Sequence, residues 1–320
     1  MDLIAKIKGF SKERRATVVA TATATFLALV KLVIGFMSGS VSVLASAMDS
    51  ILDTAISIFN FFAIKKAEEE ADDTFNYGKG KIQAIAGVIE GVVITISGLY
   101  IIYEGIIKLI YKKETTMLGT SVTVMIISII TTWFLVKYLE KTAKETDSIV
   151  VKSDALHYKA DLLSNGAVLI ALFLVSITGF DFIDAIFGIA IGGYIIYSAY
   201  EIIKEGVLVL LDRSLDPKIV AKIGEIISNT KEVKGYHWLK TRTDGTHNFV
   251  EVHLVLDPDM TIAKAHEIAD RLNCKIASLE PKKGWVITPH FDPYDDEELN
   301  VLFFEGNIDC QEYEKKDDNK

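Results

Sequence analysis

The sequence predicts a two-part fold: an all-α transmembrane domain of six helices over residues 1–211, then a small cytosolic α+β domain over 212–303, closed by an acidic, disordered tail at 304–320. Three observations predict it. Half of the 320 residues are hydrophobic and the mean hydropathy is +0.30, yet 24% are charged, so the two kinds must be segregated along the chain. Charge is split as well: residues 1–211 hold 19 Lys+Arg against 21 Asp+Glu, whereas 212–320 hold 15 against 22. Histidine follows the same division, because His157 alone precedes residue 212 and the other five follow it. The acidic balance, with no basic cluster outside short membrane-flanking loops, excludes nucleic-acid binding. Two cysteines, Cys274 and Cys310, are too few for a disulfide scaffold or a four-Cys zinc module.

The six apolar stretches run at about 16–37, 41–64, 82–110, 117–138, 154–178 and 182–208. Each reaches or nearly reaches the ~20 residues that a helix needs to cross ~30 Å of hydrocarbon. None shows the alternation of a barrel strand, so helices are the remaining way to satisfy backbone groups in lipid. Lys6, Lys8, Lys12, Arg14, Arg15, Lys65, Lys66, Lys79, Lys81, Lys137, Lys141, Lys144, Lys152 and Lys159 fall on one side of these spans; Lys108, Lys112 and Lys113 fall on the other. That bias places both termini in the cytoplasm, in a multi-pass protein of the inner cell membrane. The N-terminus shows no cleavage site.

After Leu211 the pattern changes. Asp212 to Pro217 reads as a helix stop and a fresh start, with Pro217 early in a helix over 217–231 carrying Ile219, Ile223, Ile226 and Ile227. Strands follow at 236–241 and 249–256 around the turn Thr243-Asp-Gly-Thr246. A helix at 262–279 and a strand at 284–291 complete the order αββαβ, a ferredoxin-like two-layer domain with its helices on one sheet face and the other face free for pairing.

Charges at mid-bilayer cost ~2.5–3.5 kcal/mol each on insertion scales, so the informative residues are the expensive ones. Asp49 and Asp53 stand i,i+4 in the second span, which puts both carboxylates on one helix face. His157 and Asp161 repeat that spacing at the start of the fifth. Opposed, the two faces supply three carboxylates and one imidazole, a donor set suited to tetrahedral Zn²⁺; Fe²⁺, Cd²⁺, Co²⁺ and Mn²⁺ stay open. Lys31, Glu90 and Glu104 are also intramembrane and receive no role. Lys81 and Asp212 flank the junction of the two parts and are expected to form an ion pair across it.

Six spans, the DxxxD at Asp49 and Asp53, the HxxxD at His157 and Asp161, and the αββαβ domain together resemble the cation diffusion facilitator family over residues 10–293, and its bacterial zinc- and iron-exporting branch in particular. The resemblance implies a homodimeric, proton-coupled exporter of divalent metal with Asp49, Asp53, His157 and Asp161 as the transport site. It implies that a histidine at 157 goes with zinc or cadmium rather than manganese. It also implies that His237, His253, His266, His290 and Asp292 bind regulatory or structural Zn²⁺ in the cytosolic domain. The strand pattern supports the last expectation: Val250, Val252, Leu254 and Leu256 share one face, so His253 points to the other. Relatives carry histidines between the second and third spans, but this loop has Phe75 and Lys79 there, and no tight metal site is expected in it.

Metal ligands must be deprotonated, so the same four groups can hold a divalent ion or compensating protons, and an alternating-access cycle then drives export. No prosthetic group and no covalent chemistry is required. An uncoupled channel or importer would use the same ligands, and a membrane-anchored metal sensor would leave the intramembrane charges unexplained. A membrane metalloprotease would need an HExxH-type helix, which is missing from the sequence.

Overall fold

The computed structural model describes residues 9–38, 41–111, 119–178 and 182–305, and the chain divides into two compact units, Met1–Leu211 and Asp212–Lys320. Among the described residues the first unit holds six long helices: α1 (Lys12–Ser38), α2 (Val41–Ala67), α3 (Ile82–Tyr111), α4 (Gly119–Thr146), α5 (Ile149–Thr178) and α6 (Phe182–Leu210). Among the described residues α1, α2, α3, α4 and α6 are long and apolar enough to cross a membrane, and α5 stands beside them as a helix of 30 residues. It begins at Ile149, earlier than the expected 154, and so takes in Lys152, Asp154, His157, Lys159 and Asp161. Outer faces of the unit carry Phe26, Leu29, Val33, Ile96, Leu99 and Phe134, all more than half exposed, as a lipid-facing surface requires.

Helix α5 sits between two apolar clusters, and that position fixes the side chains discussed below. Val150, Val151, Ala155 and Tyr158 pack with Ala16, Ala20 and Ala24 of α1, Ala63 and Ile64 of α2, and Leu135, Val136 and Leu139 of α4. Ile149, Leu156 and Ala160 pack instead with Ala84 and Ile94 of α3 and Ile195, Ala199 and Ile202 of α6.

The α3–α6 contact follows from small residues repeated every seven positions on both helices. Gly206 approaches Ala84, Gly91 approaches Ala199, Gly98 approaches Gly192, and Gly105 approaches Ala185, so the backbones meet and isoleucines fill the gaps between. A Cβ at Gly192 would lie 2.8 Å from the Gly98 carbonyl oxygen and 2.6 Å from Ile102 Cγ1. The backbone oxygen cannot rotate aside. Gly192→Ala is therefore expected to destabilise the protein by about 1–3 kcal/mol, seen as a lower thermal midpoint in detergent. Gly193→Ala, whose Cβ would meet nothing within 4 Å, should leave the midpoint near wild type.

The second unit contains α7 (Pro217–Ser228), β1 (Gly235–Thr243), β2 (His247–Val255), α8 (Ile262–Ala277), β3 (Gly284–Asp292) and α9 (Glu297–Glu305). The three strands form one sheet in the order β1-β2-β3, with β1 antiparallel and β3 parallel to β2. Local chemistry sets the boundaries. The Asp216 carboxylate accepts the Lys218 N–H with Pro217 in the first turn of α7, and the Thr261 side chain caps α8 through Lys264 N. At the β1–β2 turn Gly245 has φ +98°, and Asp244 Oδ1 accepts the N–H groups of Thr246 and His247.

Val250, Val252 and Leu254 of β2 face Ile223 and Ile227 of α7 and Ile268, Leu272 and Ile276 of α8, as the αββαβ reading expects. Helix α9 departs from that reading, which ended the domain at 303 and began an acidic tail at 304. Residues 306–320 of that tail lie outside the described residues.

Candidate metal centres

The intramembrane centre is built by α2 and α5. Tyr158 Oη and Ser57 Oγ lie 2.8 Å apart in the interior and pin the two helices one turn from the ligands. His157 Nε2 then lies 3.0 Å from Asp53 Oδ1 and 3.9 Å from Asp161 Oδ2. One ligand atom from each of the three residues lies within 4.8 Å of the others. Bonds of ~2.0–2.2 Å to a tetrahedral ion put its donors ~3.4 Å apart, so small side-chain shifts would let the three share one ion. Asp49 stands apart: it is one turn before Asp53, exposed, and outside this group. Lys31 reaches across from α1, with Nζ 2.8 Å from Ser50 Oγ and 3.3 Å from the Ser46 carbonyl, and its charge acts on Asp53, Asp161 and Asp49. The opposing charge lowers the cost of holding three carboxylates in one region.

Beside this centre lies a buried acidic group that the motifs did not flag. Glu90 of α3 accepts hydrogen bonds from Asn60 Nδ2 of α2, at 3.0 Å, and from Ser153 Oγ of α5. Asp154 lies next to Glu90 and Asn60 and has no exposed surface; the Asn60 amide beside it donates to Glu90, and neither Asp154 oxygen makes a hydrogen bond of ordinary geometry among the described residues. Its i,i+3 offset from His157 was the available signal.

In the second unit, strand register assembles the centre. His237 of β1 pairs with His253 of β2, which pairs with His290 of β3, so three imidazoles line up across the sheet face opposite α7 and α8. Ring centroids are 5.1 Å apart for His237–His253 and 4.5 Å for His253–His290. Asp292, two residues beyond His290 and 4% exposed, faces all three. Its Oδ2 is 2.8 Å from His253 Nδ1 and 3.4 Å from His237 Nε2, and its Oδ1 is 3.2 Å from His290 Nε2. A carboxylate placed this way can bridge two ions.

Within one chain His266 stands apart from the rest of the expected set. It lies on α8, which packs on the other face of the sheet; its side chain is 73% exposed and its nearest acidic partner is Asp270 at 3.6 Å. Asp296 joins the cluster instead, 3.0 Å from His237 Nε2, and the sequence reading missed it.

In the α2–α3 loop, Lys79 Nζ lies 2.6 Å from Asp72 Oδ2 and 3.2 Å from Glu69 Oε2. A resident ammonium thus stands between the two acids. Its hydrogen bond, with the Phe75 and Thr74 N–H groups, holds the Asp72 carboxyl below the usual carboxylate range, and Asp72 in turn raises the Lys79 ammonium. The expected ion pair of Lys81 with Asp212 would join one unit to the other. Within their own units Lys81 Nζ meets the Leu210 carbonyl at 3.4 Å and Asp212 meets Arg242 at 3.4 Å.

Comparison with known proteins agrees with this architecture. Residues 17–211 match the cation efflux transmembrane domain and residues 215–294 match the cation efflux protein cytoplasmic domain. The chain is 36% identical over 279 residues to the cation-efflux pump FieF of Escherichia coli O139:H28, covering 87% of this chain and 92% of the relative. The FieF of Escherichia coli K12 strain DH10B gives the same values. Two solved structures of CzrB, described as a zinc transporter, are also similar. One is 29% identical with a TM-score of 0.22, over 24% of this chain and 98% of that one. The other, a Zn form, is 28% identical with a TM-score of 0.24, over 27% and 98%. Superpositions at those scores add nothing to the account of the fold. The two domain matches and the long alignment to FieF place the chain in the cation diffusion facilitator family of membrane cation-efflux transporters, which are not enzymes.

Proposed function

We propose that this protein exports Zn²⁺ from the cytoplasm in exchange for protons, and that Asp53, His157 and Asp161, joined by Asp49, are the groups that alternate between the two. The carrying observation is the approach of His157 Nε2 to both Asp53 and Asp161, on helices that pack into the apolar interior of the first unit. A mixed imidazole–carboxylate set suits zinc, and Fe²⁺, Cd²⁺, Co²⁺ and Mn²⁺ are weaker competitors. The name of the relative that aligns over most of the chain, a cation-efflux pump, supports the direction. Asp49 lies one turn away on the same helix, and a rotamer change with a small rotation of α2 brings it to the ion. Because the ligands must shed protons to bind metal, rocking of α2 and α5 between inward and outward openings couples the two flows.

The protein works as a homodimer in the inner membrane with both termini in the cytoplasm. His237, His253, His290 and Asp292 hold regulatory zinc on the free sheet face, and His266 reaches that zinc from a second copy. Proteoliposome uptake of Zn²⁺, Fe²⁺, Cd²⁺ and Mn²⁺ by wild type and Asp53→Ala tests the reading. Zinc uptake that exceeds the other ions and vanishes in the variant supports it, and equal uptake by both proteins refutes it.

A further inference from the structure

The His237 cluster draws one carboxylate from outside the sheet. Asp296 stands immediately before α9, and with His237, His253 and Asp292 it forms a set whose ligand atoms all lie within 4.8 Å of one another. We propose that Asp296 is a direct ligand of metal bound at His237, His253 and Asp292, so that metal occupancy latches helix α9 onto strand β1. The proposal rests on the reading of those histidines as a metal site.

Donor geometry is the first support. The separations are 3.0 Å from His237 Nε2 to Asp296 Oδ1, 3.4 Å from His237 Nε2 to Asp292 Oδ2, and 2.8 Å from His253 Nδ1 to Asp292 Oδ2. A tetrahedral ion with bonds of ~2.0–2.2 Å sets its donors ~3.4 Å apart, so these three separations lie close to that spacing and the rest of the set, within 4.8 Å, reaches one ion by side-chain rotation.

The second support is an orphaned atom. His237 is 6% exposed and its Nδ1 makes no hydrogen bond, although Asp295 Oδ1 is 3.4 Å away. A proton on Nε2, facing Asp292 and Asp296, leaves Nδ1 as an acceptor opposite another acceptor. A metal on Nε2 moves the proton to Nδ1, and Asp295 becomes its acceptor. That is the carboxylate–histidine–metal arrangement that orients a ligating imidazole. Asn300, one turn into α9, donates from Nδ2 to Asp296 Oδ1 at 2.9 Å, and the same nitrogen lies 3.3 Å from His237 Nε2 and 3.5 Å from His253 Nδ1, so α9 already places a donor among these atoms and the amide turns aside when an ion takes its place.

The third support is the way β1 receives the helix. Its register slips between His237 and Lys240, and Trp238 takes φ +55°, a costly conformation for a bulky residue. The bulge turns the Trp238 indole toward Phe304 of α9, with ring centroids 5.8 Å apart, and Lys240 Nζ lies 3.7 Å from the first ring and 4.7 Å from the second. These contacts anchor the far end of a nine-residue helix. At its near end Asp292, Asp295 and Asp296 converge on His237, and like charges that close oppose docking unless a cation stands among them.

Amide hydrogen exchange of the full-length protein in detergent, with and without Zn²⁺, tests the latch. In wild type, zinc is expected to slow exchange both in the strands around His237, His253 and His290 and in residues 297–305. In Asp296→Asn the strands should still respond, at a zinc concentration about 10–100-fold higher, the scale known for loss of even an outer-shell partner, while 297–305 no longer responds. Asp296→Cys, which supplies a thiolate ligand, should restore the helix response and so separates ligation from misfolding. An Asp296→Asn protein whose helix responds like wild type overturns the latch and leaves the histidine site standing. A wild type whose strands ignore zinc overturns the underlying site as well.

Discussion

Asp53→Ala is expected to reduce zinc transport by more than about 100-fold while leaving the protein folded, beyond the 10–100-fold range found for outer-shell partners of metal ligands. Asp53 Oδ1 is the closest carboxylate oxygen to His157 Nε2, at 3.0 Å, whereas Asp161 Oδ2 is at 3.9 Å and Asp49 lies outside the group. Removing it takes away the α2 group that already reaches the centre and leaves His157 and Asp161 on one helix, with Asp49 one turn away as the remaining α2 carboxylate. Ser57–Tyr158 still joins α2 to α5, so the helices keep their pairing. Uptake of zinc into proteoliposomes, normalised to the amount of folded protein, measures the loss. Asp49→Ala should fall too, but less steeply, because Asp49 must move to reach the ion.

His157→Asp is expected to change which ion is carried rather than whether one is carried. The imidazole is the only nitrogen donor of the centre, and a carboxylate in its place makes an all-oxygen set that favours harder ions such as Mn²⁺. The ratio of zinc to manganese uptake should fall at least about tenfold, the least that exchange of a direct ligand should do given 10–100-fold effects from outer-shell partners. Aspartate is shorter than histidine, so some total activity is lost as well. Uptake from equimolar mixtures reads the ratio directly, and an unchanged ratio would mean that residue 157 does not select the ion.

Much of this architecture is legible in one dimension because the bilayer enforces it. The six helices and the αββαβ order follow from apolar length and alternation, and the i,i+4 spacings of Asp49 with Asp53 and of His157 with Asp161 show as charges inside apolar spans. What hydropathy misplaces is the start of α5, since charge density at its first turns hides a helix that the fold needs. The seven-residue seam of Ala84, Gly91, Gly98 and Gly105 against Ala185, Gly192, Ala199 and Gly206 is invisible to hydropathy, because glycine inside an apolar span carries no hydropathy signal. Glu90 shows in the sequence as an intramembrane acid that belongs to no motif. Its partners Asn60, Ser153 and Asp154 come from α2 and α5, and only packing brings them together. The histidine row needs strand register, which alternation alone fixes to a face but not to a partner. His266 fails to join within one chain for the same reason: its helix covers the opposite face. Asp296 falls after the last expected strand, at 284–291, in a stretch of the domain to which the sequence pattern assigns no element.

The exchange of metal for protons is tested most directly in proteoliposomes that trap both a zinc indicator and a pH indicator. On addition of external Zn²⁺ the wild-type lumen is predicted to gain zinc and become more alkaline in step, and the Asp53→Ala lumen to do neither. Zinc entry with no change of luminal pH, or entry through Asp53→Ala at the wild-type rate, would contradict the account.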